Sequence, residues 1–110
     1  PRADIVLGDR YGTSCSPAIT DLIERTLRAQ GHIVLRNKPY AGGFITEHYG
    51  DPATGLHALQ IEVNRALYMD EAGYTKTAGF EKMKHDLGRV VEAVAAFTTA
   101  GLEPLPDAAE

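Results

Sequence analysis

Hydrophobic positions along this chain change their spacing several times, and each change marks an element. Ile5-Val6-Leu7 is a short apolar run closed by Gly8-Asp9, which predicts a buried strand. The loop GDRYGTSCSP follows, with Ser16 placed to cap a helix and Pro17 suited to its first position. Ile19, Leu22, Ile23 and Leu27 then recur at helical spacing and form one apolar stripe. Gly31 stands where a C-terminal glycine cap belongs, and His32-Ile33-Val34-Leu35 predicts the next strand. Strand, helix and strand in close succession define a βαβ unit, with a parallel pair and a right-handed crossover.

Gly42-Gly43 opens Phe44-Ile45-Thr46-Glu47-His48, read as a strand that ends at His48, where Tyr49-Gly50-Asp51-Pro52 breaks the pattern. After the loop YGDPATG, alternation resumes from Ala58 to Val63. There Leu59, Ile61 and Val63 share one face, and Ala58, Gln60, Glu62 and Asn64 share the other. MDEAGYTKTAG reads as a loop. Phe80, Met83, Leu87, Val90, Val91, Val94 and Phe97 trace a long amphipathic helix ending near Gly101. Residues 102–110, LEPLPDAAE, form a small, acidic, Pro-rich tail that is expected to fray. The predicted fold class is α/β: a mostly parallel or mixed sheet of about four strands with flanking helices.

Charge and composition narrow the partners. The chain has 110 residues, enough for one domain or part of one. Asp and Glu number 15 against 11 Lys and Arg, for a net charge of −4, and basic residues are scattered, which argues against a nucleic-acid or anionic-membrane partner. There is no apolar run of about 18 residues to span a membrane. The single Cys15 forbids an internal disulfide and suits a reducing cytosol, so the expected localisation is cytoplasmic. The chain starts at Pro1 and enters a strand almost at once, which implies a natural N-terminus further upstream.

Candidate chemistry gathers between Tyr40 and Glu71. A catalytic zinc takes about three protein ligands and leaves a position for water. A His at a strand end can serve as such a ligand, so His48 is a candidate; alternatively it hydrogen-bonds a loop. Glu62 is an acid inside an apolar strand, so it needs a partner or a task. It reads either as a general base or as an ion-pair partner of Arg65 or Arg36. His57 is a weak second ligand, His32 looks structural and His85 solvent-facing. In the GDRYGTSCSP loop, free backbone N–H groups with Arg10, Thr13 and Ser14 could receive an anion, or the loop is an ordinary capped turn. Cys15 reads as a nucleophile served by His48 or as a packing residue.

GDRYGTSCSP, GGFITEHYGDP and GLHALQIEVNRALYMDE together resemble the N-formylglutamate amidohydrolase family, from about Asp4 to Phe97. That family is similar in its core to the zinc carboxypeptidase-like hydrolases. The resemblance implies that His48, in GGFITEH, is a metal ligand and that Glu62, in LQIEVNR, is the catalytic base. It implies zinc, or another divalent metal, in the full-length enzyme. The reaction implied is hydrolysis of N-formyl-L-glutamate to L-glutamate and formate, in histidine degradation. Arg65, Arg10, Thr13, Ser14 and Tyr49 become candidates for holding a small N-formyl amino acid substrate. Nothing in the chain matches the family's other metal ligands. Residues 1–101 therefore read as the C-terminal portion of such a domain, with only part of an active site. Two alternatives stand: a related zinc deacylase of another N-acyl amino acid, and a non-catalytic α/β fragment. In a fragment, an exposed sheet edge would favour self-association.

Overall fold

The computed structural model describes residues 3–101, with side chains up to Phe97. Strand β1 (Ile5–Gly8) leads into helix α1 (Pro17–Ala29) and returns to β2 (Val34–Arg36), which pairs parallel to β1 with Ile5 opposite Val34. This is the predicted βαβ unit. Ser16 caps α1, its hydroxyl accepting from Ala18 N–H at 3.3 Å. The helix ends in a Schellman arrangement: Gly31, at φ +94°, and His32 donate their N–H groups to the carbonyls of Arg28 and Leu27.

The rest of the sheet departs from the parallel pattern. Strand β3 (Gln60–Val63) lies antiparallel on the other side of β1, with Val6 opposite Glu62 and Gly8 opposite Gln60. The main sheet is thus three-stranded and mixed, in the order β2-β1-β3. A second, two-stranded pairing joins β4 (Met69–Asp70) to β5 (Thr75–Lys76), inside the segment read as plain loop. Helix α3 (Gly79–Gly101) closes the described chain, and the tail of residues 102–110 lies outside it.

One face of the sheet carries the core. Ile5, Leu7 and Val34 meet Ile19, Ile23 and Leu27 of α1 and Met83 and Val90 of α3, with Leu59, Ile61 and Val63 packed against them. The alternation read along β3 is therefore correct. Val91 is the exception on α3, at 67% exposure. The opposite face carries Val6, Leu35 and Glu62, which share a register row; Leu35 and Glu62 are exposed and Val6 is buried.

A buried polar cluster pins α3 to the turn after α1. His32 Nε2–H donates to Asp86 Oδ2 at 2.7 Å, with both side chains buried. Lys82 Nζ reaches the same oxygen at 2.5 Å and also donates to Gln30 O at 3.1 Å. Burial pushes the Asp86 carboxyl up, but Lys82, His32 and His85 more than offset it and hold it down at about 2. Strand β2 begins at Val34, two residues later than the apolar run suggested: the N–H of His32 closes the end of α1 on Leu27 O and that of Ile33 donates to the Asp4 carboxylate.

Candidate active site

The segment Phe44–Tyr49 is a helix, α2, where the sequence pattern read a strand. Phe-Ile-Thr favours strands only where a pleated, half-buried surface is available to it. Here Phe44 and Ile45 are about 70% exposed, while Thr46 is buried. Gly43 starts the helix: its carbonyl accepts from Glu47 N–H at 3.1 Å and from the Thr46 hydroxyl at 2.7 Å. Gly50 ends it, donating to Thr46 O at 3.0 Å. So His48 is a helix residue, not a strand-end residue. Its ring stacks on Phe44, centroids 5.0 Å apart, and meets Tyr49 edge-on at 4.6 Å. His48 and Tyr49 are both exposed.

Helix α2 sits beside the loop that follows β1. Arg10 N–H donates to Ala41 O at 2.8 Å, its guanidinium donates to Gly42 O at 3.0 Å, and it pairs with Glu47 at 2.7 Å. Gly50 packs so closely on Ser14 that a Cβ there would lie 2.5 Å from the Ser14 Cβ. This is the C-terminal end of the parallel strands, where open α/β sheets bind ligands.

The loop itself is closed to anions, contrary to the expectation of free backbone donors. Asn37 Oδ1 accepts from Asp9 and Tyr11 N–H, and Asp9 Oδ1 accepts from Gly12 N–H and Asn37 Nδ2. Thr13 and Ser14 N–H groups are bound to Arg10 O and Asp9 O. Every N–H from Asp9 to Ser14 thus has an acceptor within the protein. Burial pushes the Asp9 carboxyl up, but Asn37, Gly12 N–H and the Thr20 hydroxyl outweigh it and leave it low. The hydroxyl of Ser14 is buried and donates to Ala58 O at 2.8 Å; that of Thr13 turns back to Arg10 O at 2.7 Å. Both are engaged in holding the loop.

Cys15 and His57 have structural roles. Cys15 lies in the core at 1% exposure and burial pushes its thiol up, the reverse of what a nucleophile needs. His57 uses Nδ1 to accept from Ser16 N–H at 2.9 Å, so it holds the start of α1.

Glu62 is exposed: it stands on the face of the sheet opposite the core that Ile61 and Val63 pack against. It lines a cavity of about 500 Å³ together with Val6, Leu35, Tyr40 and Asn64. The ion-pair alternatives find no support: Arg36 is taken by Asp21 and Glu24, and Arg65 pairs with Glu71 at 3.3 Å. Glu62 instead accepts from Gln60 Nε2 at 3.1 Å. The same Gln60 amide accepts from Gly43 N–H at 3.0 Å. Strand β3 and the start of the His48 helix are thereby joined through one side chain. Sequence reasoning missed Gln60, although its place two residues before Glu62, on the same face of the strand, was legible. It also missed Asp86, a charged residue within the apolar stripe of α3.

The described residues contain no group of three or more His, Cys, Asp or Glu side chains placed to hold a metal ion. His48 offers one imidazole, and the residues present do not make a metal site by themselves. No described helix is long and apolar enough to cross a membrane.

A mixed α/β sheet with α1 and α3 on one face, and polar side chains gathered at the end of its parallel strands, defines the class as an α/β domain with a candidate enzyme site. Residues 1–69 match the profile of N-formylglutamate amidohydrolase, and the chain belongs to that family. Over 69 residues it is 41% identical to the N-formylglutamate deformylase of Pseudomonas aeruginosa and 39% identical to that of Pseudomonas putida. Each match covers 62% of this chain and 26% of the relative. The crystal structure of N-formylglutamate amidohydrolase from Ralstonia eutropha JMP134 superposes with a TM-score of 0.87 at 42% identity, over 92% of this chain and 36% of that one. The chain spans about a quarter of the length of the curated relatives it matches.

Proposed function

We propose that the whole protein carrying this chain hydrolyses the amide of N-formyl-L-glutamate to L-glutamate and formate, the activity named for its relatives. The observation that supports it most is the Gln60 bridge, which ties the GGFITEH helix to the QIEV strand at the ligand-binding end of the sheet. Glu62 acts as general base. It takes a proton from the water that attacks the formyl carbon and passes it to the departing amine as the C–N bond breaks. Its exposed carboxylate at a cavity wall, free of any cationic partner among the described residues, suits that role.

Arg10 is the proposed contact for a substrate carboxylate, and Tyr49, on the helix that Arg10 pairs with through Glu47, an aromatic wall. Arg10 holds Glu47 at a partly exposed position, from which a dicarboxylate can recruit it. Arg65, the other proposed Arg contact, follows β3 past Val63, at the opposite end of β1 from Arg10. His48 is proposed as one donor to zinc or another divalent metal, whose remaining ligands come from outside these 110 residues. A cytoplasmic location is proposed from the free, buried Cys15.

The test is formate release by the whole protein from N-formyl-L-glutamate, set against other N-acyl amino acids, with metal content measured on the same sample. Preference for N-formyl-L-glutamate supports the reading. Preference for another acyl group makes the protein a related deacylase, and no release from any of them rejects hydrolysis.

A further inference from the structure

Gln60 occupies a position that neither the family match nor the candidate chemistry assigns. Its side chain does two things at once. The carbonyl oxygen accepts from Gly43 N–H at 3.0 Å, at the start of α2, and the amide nitrogen donates to Glu62 Oε1 at 3.1 Å. These two bonds fix which end of the amide is oxygen and which is nitrogen, because a backbone N–H can only donate and a carboxylate can only accept. Glu62 is exposed and has no cationic partner among the described residues, so without Gln60 its carboxylate would sample several rotamers.

We infer that Gln60 is a positioning residue, holding the Glu62 carboxylate in one orientation relative to the helix that carries His48. The inference rests on the reading of Glu62 as general base. It acts through geometry: one oxygen of the carboxylate is occupied by Gln60, and the other is left to face the attacking water. A carboxylate misplaced by an ångström loses much of its rate advantage.

The structural alternative is that Gln60 only fastens Gly43, and the two roles come apart by substitution. Gln60→Glu keeps an oxygen acceptor for Gly43 N–H but loses the donor toward Glu62 and sets a second carboxylate beside it. Gln60→Ala removes both bonds. In the whole protein, both variants are expected to lower kcat for formate release by about 10- to 100-fold with little change in KM. Gln60→Ala is expected to add no further loss in a Glu62→Gln background, since it acts through Glu62.

Wild-type turnover by Gln60→Glu would show that the Gly43 contact alone matters and would overturn the inference. So would a loss from Gln60→Ala that multiplies with Glu62→Gln. Gln60→Glu keeps the test readable if Gln60→Ala loosens the loop before α2. If wild type releases formate and Glu62→Gln does not, yet both Gln60 variants match wild type, only the inference fails. If wild type releases no formate, the base reading fails and takes the inference with it.

Discussion

Arg10 and Glu47 are paired at 2.7 Å across the gap between the loop after β1 and helix α2. The pair is partly exposed, with side chains at 33% and 64% accessibility, so its contribution to stability is small, roughly 0–1 kcal/mol. Its interest lies in the guanidinium, which stands at the C-terminal end of the parallel strands and is held by a partly exposed partner.

If Arg10 is recruited by a substrate carboxylate, Arg10→Lys in the whole protein should raise KM for N-formyl-L-glutamate by about tenfold, because Lys cannot make the bidentate fork. Glu47→Gln should lower KM or leave it unchanged. Steady-state kinetics on both variants check this, and an unchanged KM in Arg10→Lys would remove Arg10 from the substrate contacts.

Asp86 supplies a pH-dependent contribution to stability. Its carboxyl is held at about 2, below the ordinary value of 3.8, by Lys82, His32 and His85. A depressed carboxyl stabilises the fold above the unfolded value, and that contribution is lost as pH falls from about 4 toward 2. The shift corresponds to about 2 kcal/mol. Asp86→Asn should therefore cost stability in denaturant titrations at neutral pH, and the gap to wild type should narrow as pH approaches 2. A gap that stays constant with pH would assign the loss to packing.

Gly50→Ala should loosen the candidate site. The added Cβ would stand 2.5 Å from the Ser14 Cβ and 2.6 Å from the Ser14 carbonyl oxygen. Backbone on one side cannot yield as a flexible side chain would. A loss of about 1–3 kcal/mol is expected by thermal or denaturant melting, with a fall in turnover. Unchanged stability would mean that α2 and the loop after β1 shift apart freely.

The 110-residue chain alone should release no measurable formate, because its described residues do not assemble a metal site. It should also self-associate. Strands β2 and β3 are both sheet edges, and Leu35 and Tyr40 are 45% and 56% exposed on or beside the face opposite the core. An activity assay and sedimentation of the chain check both. Formate release abolished by a chelator would contradict the first expectation, and a monomer at all concentrations the second.

Much of the fold was legible because local signals agreed. Ser16 with Pro17, the Ile19-Ile23-Leu27 stripe and Gly31 each pointed to the same helix, and the alternation of Leu59, Ile61 and Val63 identified the core face of β3. Two failures have a common origin. Phe44-Ile45-Thr46 was read as a strand because β-branched and aromatic residues fit a pleated surface, but this segment has no such surface and is capped as a helix by glycines. Glu62 was read as needing a partner or a task because its strand is apolar, yet it is exposed, and alternation does not report what covers a face. The polar side chains that hold the site together, Asn37, Asp9 and Gln60, act between segments distant in sequence. No local pattern announces such contacts.

Glu62→Gln in the whole protein tests the central claim most directly. The substitution keeps size and shape but removes the group that accepts the water's proton. Turnover of N-formyl-L-glutamate should fall by about 10²–10⁴-fold, with KM, metal content and melting temperature close to wild type. Wild-type turnover with a lowered melting temperature would contradict it and leave Glu62 a structural residue.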